Sequence, residues 1–272
     1  MSRAEQVRRA VVRVVGSARH LATLACIVLL WQIASTNGWL NRLLLPPPSR
    51  IARAWWESLQ QGQLIDDVTA SLYRVGIGFL IASVVGIALG VVMSTVPLLR
   101  RQLGWIVGVL RPIPPIAWIP LAILWFGIGD HPAFFIVFVA AFFPIFTGTY
   151  LSIGEVRAIQ VNTARSLGAS RPLVILDVLL PAALPTILVG LRTGLGVAWM
   201  SVIAAELVGA RSGLGYRVQL DQVLLRTDSL IAGMLSIGVV GLGMHAALGL
   251  LERLLVPWRR RVSSASVRTQ RA

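Results

Sequence analysis

The chain has 272 residues, of which 56% are hydrophobic and only 13% charged, and its mean hydropathy is +0.77. A soluble domain carries about a quarter of its residues charged, so this chain lacks the polar surface to cover a water-borne fold and is expected to be an integral membrane protein. The net charge of +14 comes from arginine alone, placed in short segments between apolar runs; that pattern is a topology signal and argues against nucleic-acid binding.

Six stretches are apolar enough to predict spans, at 21–37, 72–93, 106–126, 132–153, 183–207 and 230–251. The first follows Arg3, Arg8, Arg9, Arg13 and Arg19. With Trp31 and Gln32 inside it and no small-residue cleavage signal after it, it reads as an uncleaved anchor. It also holds Cys26, the single cysteine, which reads as a small buried residue and excludes a disulfide within the chain. His20, His131 and His245 lie far apart in sequence, without Cys or carboxylate at ligand spacing, so no metal site is expected.

Between the first two spans, Pro46, Pro47 and Pro48 mark a loop. Ser49 then reads as an N-cap, and Ile51, Ala54, Trp55 and Leu59 repeat at helical spacing on one side. A helix lying at the membrane interface and a plain packed loop both fit this segment. In the second span Gly86 and Gly90 are four apart, as are Gly190 and Gly194 in the fifth. Each pair flattens a helix face for close packing.

The third span contains "RPIPPIAWIP", with Pro112, Pro114, Pro115 and Pro120. Proline removes a backbone donor and kinks or breaks a helix, and in lipid such a break survives where it is buried in protein or faces water. Arg111, Pro112, Pro114, Pro115 and Trp118 are therefore candidates for a translocation path or gate; a kinked packing helix is the other reading. Arg192, in the fifth span, either faces an aqueous cavity, where it could attract an anion, or snorkels to an interface. Glu206, deep in an apolar run, needs a partner or water. An ion pair with an arginine such as Arg211 holding the end of the span, or contact with the path, both satisfy it. "GARSGLGY", from Gly209 to Tyr216, reads as a flexible turn.

The longest break in hydropathy after the fourth span is 154–182, "NTARSLGASRPLVILDVLLP" forming its core. Its first part has helical spacing, and Gly168 fits a helix stop. Pro172 fits a helix start, and Pro181 an end, which predicts two short helices joined at 168–171. A short helix rich in Ala, Ser and Gly has a low profile and suits docking into another protein; a connecting loop packed on the bundle also fits.

Setting aside Arg111 and Arg192, sixteen arginines fall on the side of the termini and this break, and seven, with Arg74 at the start of the second span among them, on the other. The positive-inside rule then predicts that both termini are cytoplasmic, with 1–20 and 254–272 as tails and 21–253 as one membrane domain.

The break resembles the "EAA" loop of bacterial ABC importer permeases: Glu-Ala-Ala, three residues, Gly, nine residues, Ile, one residue, Leu-Pro. Here Asn162-Thr163-Ala164, Gly168, Val178, Leu180 and Pro181 stand at those places. Asn162, Thr163 and Val178 depart from the pattern, and Asn162 removes a charge contact to the ATPase. "LPPPSRI", "IPPIAWIPLAILWFGIG", "LPAALPTILVGLRTGLGVAWMSVIAAELVGARSGLGY" and "LLRTDSLIAGM" resemble the nitrate, sulfonate, taurine and bicarbonate branch, over about 45–260. The resemblance implies an all-α type I importer permease in the bacterial inner membrane, with six spans and a cytoplasmic coupling helix in an EAA-type loop at 155–181. Asn162, Thr163, Ala164, Arg165, Ser166, Leu167, Gly168, Ala169, Ser170 and Arg171 would meet the ATPase.

Implied partners are a second permease copy, two ATP-binding subunits and an extracytoplasmic substrate-binding protein, with lipid around them. The chain lacks G-x-x-x-x-G-K-[ST], so ATP and its magnesium would belong to the partner ATPase and no cofactor to this chain, which is not expected to be an enzyme. The implied cargo is a small oxyanion such as a sulfonate, taurine, nitrate or bicarbonate. The same branch carries neutral or aromatic nutrient precursors, and a stand-alone transporter, channel or scaffold is the rival class. Paired mid-membrane charges and symmetric halves, which a stand-alone transporter favours, are absent from the sequence.

Overall fold

A computed structural model describes residues 22–255 and is helical throughout them, without a strand. The predicted N-terminal tail, with His20, and the C-terminal tail from 256 on fall outside these residues, while 254 and 255 belong to the last helix. The chain divides into two compact units, 22–64 with 218–235, and 65–217 with 236–255.

In the first unit, α1 (Ala22–Thr36) is apolar and almost wholly exposed, as a lone helix meant for lipid must be. Cys26 shares that exposure, which corrects the expectation that it is buried. After α1 the chain turns through Gly38 at φ 78°, and the turn is held by Ser35, whose hydroxyl donates to the Leu45 carbonyl at 2.9 Å. Helix α2 (Pro48–Gln60) buries Ile51 and half-buries Ala54, Trp55 and Leu59, the expected one-sided face. Ser49 is not its N-cap. Pro47 holds that place with no side-chain cap, and Ser49 lies in the first turn, where prolines leave few free donors. Gln32 of α1 takes over the capping role: its Oε1 accepts from the Ser49 amide and its Nε2 donates to the Ser49 hydroxyl, both at 3.1 Å.

The second unit is a helical bundle. It takes up most of α3 (Gln63–Thr95), then α4 (Pro97–Leu110), a 3-10 turn (Pro115–Trp118), α5 (Ile119–Phe126), α6 (Asp130–Gly154) and α7 (Ala158–Ser166). A helical turn α8 (Arg171–Leu173) and a π-helical segment (Val174–Leu179) then lead into α9 (Leu180–Gly209). The end of the chain supplies α10 (Leu214–Val223) and α11 (Thr227–Leu255), both shared with the first unit. Four helices are long and apolar enough to cross a membrane; α4 with α5 makes a fifth, bent by 89°, and α1 is shorter.

Close packing rests on glycine. A Cβ at Gly78 would fall 2.6 Å from Val137 Cγ1, and one at Gly90 2.8 Å from Thr149 Cβ, so α3 lies directly against α6. On an adjoining face of α6, Gly190 would meet the Pro144 carbonyl at 3.1 Å and Gly194 the Ala141 carbonyl at 3.1 Å. The stripes Gly86–Gly90 and Gly190–Gly194 thus both serve α6, the helix at the centre of the unit.

The break at 154–182 holds one separate short helix, not two. Pro181 does not end a helix: the segment Arg171–Gly209 runs on for 39 residues. Proline takes away an amide and crowds the carbonyl four residues back, and the wider π-helical turn just before Pro181 absorbs that misfit without stopping the helix.

Candidate functional site

Helix α7 hangs from the bundle by one side. Val156, Val161, Ala164 and Ala169 pack against a buried cluster of Ile153, Val174, Leu179, Ala183 and Ile187. Its opposite side is open: Ile159 is 69% and Leu167 84% exposed, and Asn162, Thr163, Arg165, Ser166, Gly168, Ser170 and Arg171 are exposed as well. Of the ten residues expected at the contact, only Ala164 and Ala169 turn inward. The helix ends in a Schellman motif. Gly168, at φ 86°, donates to the Arg165 carbonyl at 2.9 Å, and the Ala169 amide donates to the Ala164 carbonyl at 3.0 Å. Ile159, Thr163 and Leu167 line an open cleft of about 500 Å³ whose far wall is Asp177, Val178 and Ala182. The capped helix thus presents bare aliphatic side chains beside a cleft.

The proline run does break the third span. Helix α4 ends at Leu110; Arg111, Pro112 and Pro114 are exposed, and Pro114 is extended at ψ 136°. Pro115 opens the 3-10 turn and Pro120 sits in the first turn of α5, places where a missing amide costs nothing. Trp118 packs edge-on against Phe135, with its indole Nε1 buried and without a hydrogen-bond partner.

Glu206 is 1% exposed and is enclosed rather than open to a cavity, and its partner is not Arg211, which is exposed. It accepts from Arg74 Nη1 at 2.7 Å, from the Ser71 hydroxyl at 2.8 and 3.0 Å and from the Gly215 amide at 2.9 Å. Arg74, 2% exposed, commits all five of its donors. The remaining four reach Asp130 Oδ1 at 2.8 and 2.7 Å, the Ser212 carbonyl at 2.6 Å and the Ser212 hydroxyl at 2.8 Å. Beside them Asp67 accepts from Arg217 Nε at 2.9 Å and from the Gly213 amide at 3.1 Å. The Leu214 amide donates to the Ser71 hydroxyl at 3.0 Å. The turn at 209–216 is therefore pinned by buried charge, which corrects its reading as flexible. One network ties α3, α6, α9 and this turn together.

The predicted second span, 72–93, takes in Arg74 but leaves out Asp67 and Ser71, because α3 begins earlier than hydropathy alone suggests. The signal that could have found the network is spacing. Asp67, Ser71 and Arg74 stand four and three apart, on one helix face.

Arg192 lies on α9 opposite the last turn of α11, with Nη1 3.8 Å from Glu252 Oε2. Its side chain is half exposed and lines a groove, so the structure gives it both a carboxylate neighbour and an open face.

Residues 82–261 match the family of binding-protein-dependent transport system inner membrane components. Similar curated proteins include the taurine transport system permease TauC of Escherichia coli, 36% identical over 243 residues and 88% of each chain. The putative aliphatic sulfonates transport permease SsuC of Bacillus subtilis is 34% identical over 244 residues, covering 90% of this chain and 88% of its own. The nitrate import permease NrtB of Synechocystis is 31% identical over 249 residues, covering 88% and 89%. Among solved structures, an inward-facing MetNI methionine ABC transporter chain aligns with a TM-score of 0.55 at 23% identity, over 70% of this chain and 97% of that one, which shows a shared fold. These relatives are transport permeases rather than enzymes. The chain belongs to the family of inner membrane components of binding-protein-dependent transport systems and has the type I ABC importer permease fold.

Proposed function

We infer that two copies of this chain form the path of an importer for a small oxyanion, driven by a separate ATPase and fed by an extracytoplasmic binding protein. Both termini and α7 face the cytoplasm, where the arginine-rich segments lie. Two ATP-binding subunits, which hold ATP and its magnesium, each seat on one α7 through Ile159, Leu167 and the polar residues between them. The relatives named for taurine, aliphatic sulfonates and nitrate support an anionic cargo of that size.

The observation that carries the reading is the mounting of α7. It is capped at Gly168 and packed through Ala164 and Ala169 onto Val174, Leu179 and Ala183, the beginning of the helix that runs to Gly209. A push on α7 is delivered to that helix directly. Because α9 is locked to α6 by glycine contacts and to α3 through Arg74 and Glu206, the three turn as a block. The 89° break between α4 and α5 then supplies the part that yields.

Leu167→Arg tests this. The chain should fold and reach the membrane, while co-purification with the ATPase and substrate uptake are lost. Undiminished uptake with that variant would overturn the reading.

A further inference from the structure

Beyond the α7 contact and the Arg74–Glu206 network, a mostly apolar groove with a charged side chain at it draws notice. Between α9 and the second-unit portion of α11 lies a groove of about 390 Å³, lined by Arg192, Thr193, Trp199, Met200, Met244 and His245 among others. Glycine opens it: Gly196 stands against His245, where a Cβ would come within 3.3 Å of Cε1, and Gly241 seats the Trp199 indole, whose Nε1 donates to the Ile237 carbonyl at 3.2 Å. Arg192 lies about 26 Å along the helix from Gly209, at ~1.5 Å per residue, toward the far end of a hydrocarbon layer of about 30 Å and opposite the last turn of α11. A charge there should have a partner or water. Its ion-pair neighbour among the described residues, Glu252, is at 3.8 Å, too far for a hydrogen bond, and the Arg192 side chain is 49% exposed. A planar fork of donors is thus turned into a recess with a hydroxyl and an imidazole beside it, and thioether and indole walls around it.

We propose that this groove is a binding site for a small organic oxyanion, with Arg192 as the forked anchor, Thr193 and His245 as neighbouring polar groups, and Met200, Met244 and Trp199 holding a short apolar tail. The volume is at the small end of ligand sites and has room for a small anion with water beside it. Arginine matches an oxyanion by parallel donors. The same chemistry could come from the cargo or from a phospholipid headgroup. The proposal rests on the permease reading for its meaning in transport, but not for its existence.

The test uses the full chain in nanodiscs with ethanesulfonate as probe, read by ligand-observed saturation-transfer NMR. Saturable binding is expected, weakened about tenfold or more by Arg192→Gln, the loss of one charge-assisted contact. Arg192→Lys should keep part of it, and Glu252→Gln should keep or strengthen it. A second arm compares phosphatidylcholine discs with discs containing phosphatidylglycerol, and counts retained lipid by native mass spectrometry. Arg192-dependent retention of phosphatidylglycerol that blocks ethanesulfonate identifies the headgroup as occupant and supports the oxyanion site. If neither anion binding nor lipid retention changes in a folded Arg192→Gln chain, the proposal falls. Failure of the ATPase-driven uptake reading would leave the binding result standing, so the two can be told apart.

Discussion

Arg74 donates to Glu206 at 2.7 Å across 132 positions of sequence, joining α3 to α9 where both side chains are nearly inaccessible. Removing one member of such a pair strands the other. Arg74→Leu and Glu206→Ala should each destabilise the fold by about 3–5 kcal/mol, because the remaining charge stays buried and unpaired. The double variant should cost clearly less than the two singles added, a coupling that thermal unfolding of the purified chain would reveal. Additive losses would mean that the two residues act independently.

Gly213 tests the same cluster from the backbone. It sits at φ 106°, and a Cβ there would fall 2.5 Å from Glu206 Oε1 and 2.6 Å from Arg74 Nη1. Gly213→Ala should therefore lower thermal stability by several degrees, whereas Gly76→Ala, which meets nothing within 4 Å, should leave it unchanged or raise it.

At Gly168 the left-handed backbone makes substitutions rank by conformation instead of by size. Nothing lies within 4 Å of an added Cβ, so strain alone decides. Asn should be tolerated, Ala should cost about 1 kcal/mol, and Val more. ATPase co-purification and uptake should fall in that order while the yield of membrane protein holds.

Packing between α3 and α6 should prove unforgiving at Gly78, where a Cβ would sit 2.6 Å from Val137 Cγ1 and 2.8 Å from the Phe134 carbonyl. Gly78→Val should prevent accumulation of folded protein, since a backbone carbonyl cannot step aside. Gly108→Val, facing open space, is the matched control, and equal yields from the two would refute the packing argument.

Spans were legible from hydropathy, because crossing lipid demands about 20 apolar residues whatever the fold. The break at Pro112 and Pro114 was legible for the same reason that it exists: proline has no amide to give. What could not be read was partnership across distance. Glu206 announced a need without naming Arg74, since an ion pair depends on which helices meet. Pro181 misled, because a helix can widen into a π turn around a proline as well as stop at it. Ser49 misled too, for the residue that occupies its amide, Gln32, lies 17 positions earlier.

The helix from Arg171 to Gly209 is about 58 Å long at ~1.5 Å per residue, against a hydrocarbon layer of about 30 Å. One end is gripped by α7 and the other carries Glu206. Whatever favours one setting of this rod at its α7 end alters the affinity of whatever sits at the 210–213 turn, and linkage makes the reverse effect equal in size. Under the importer reading proposed above, a delivery protein at one end and a nucleotide-bound ATPase at the other would negotiate through this single shaft, each sensing the other's occupancy by the same factor.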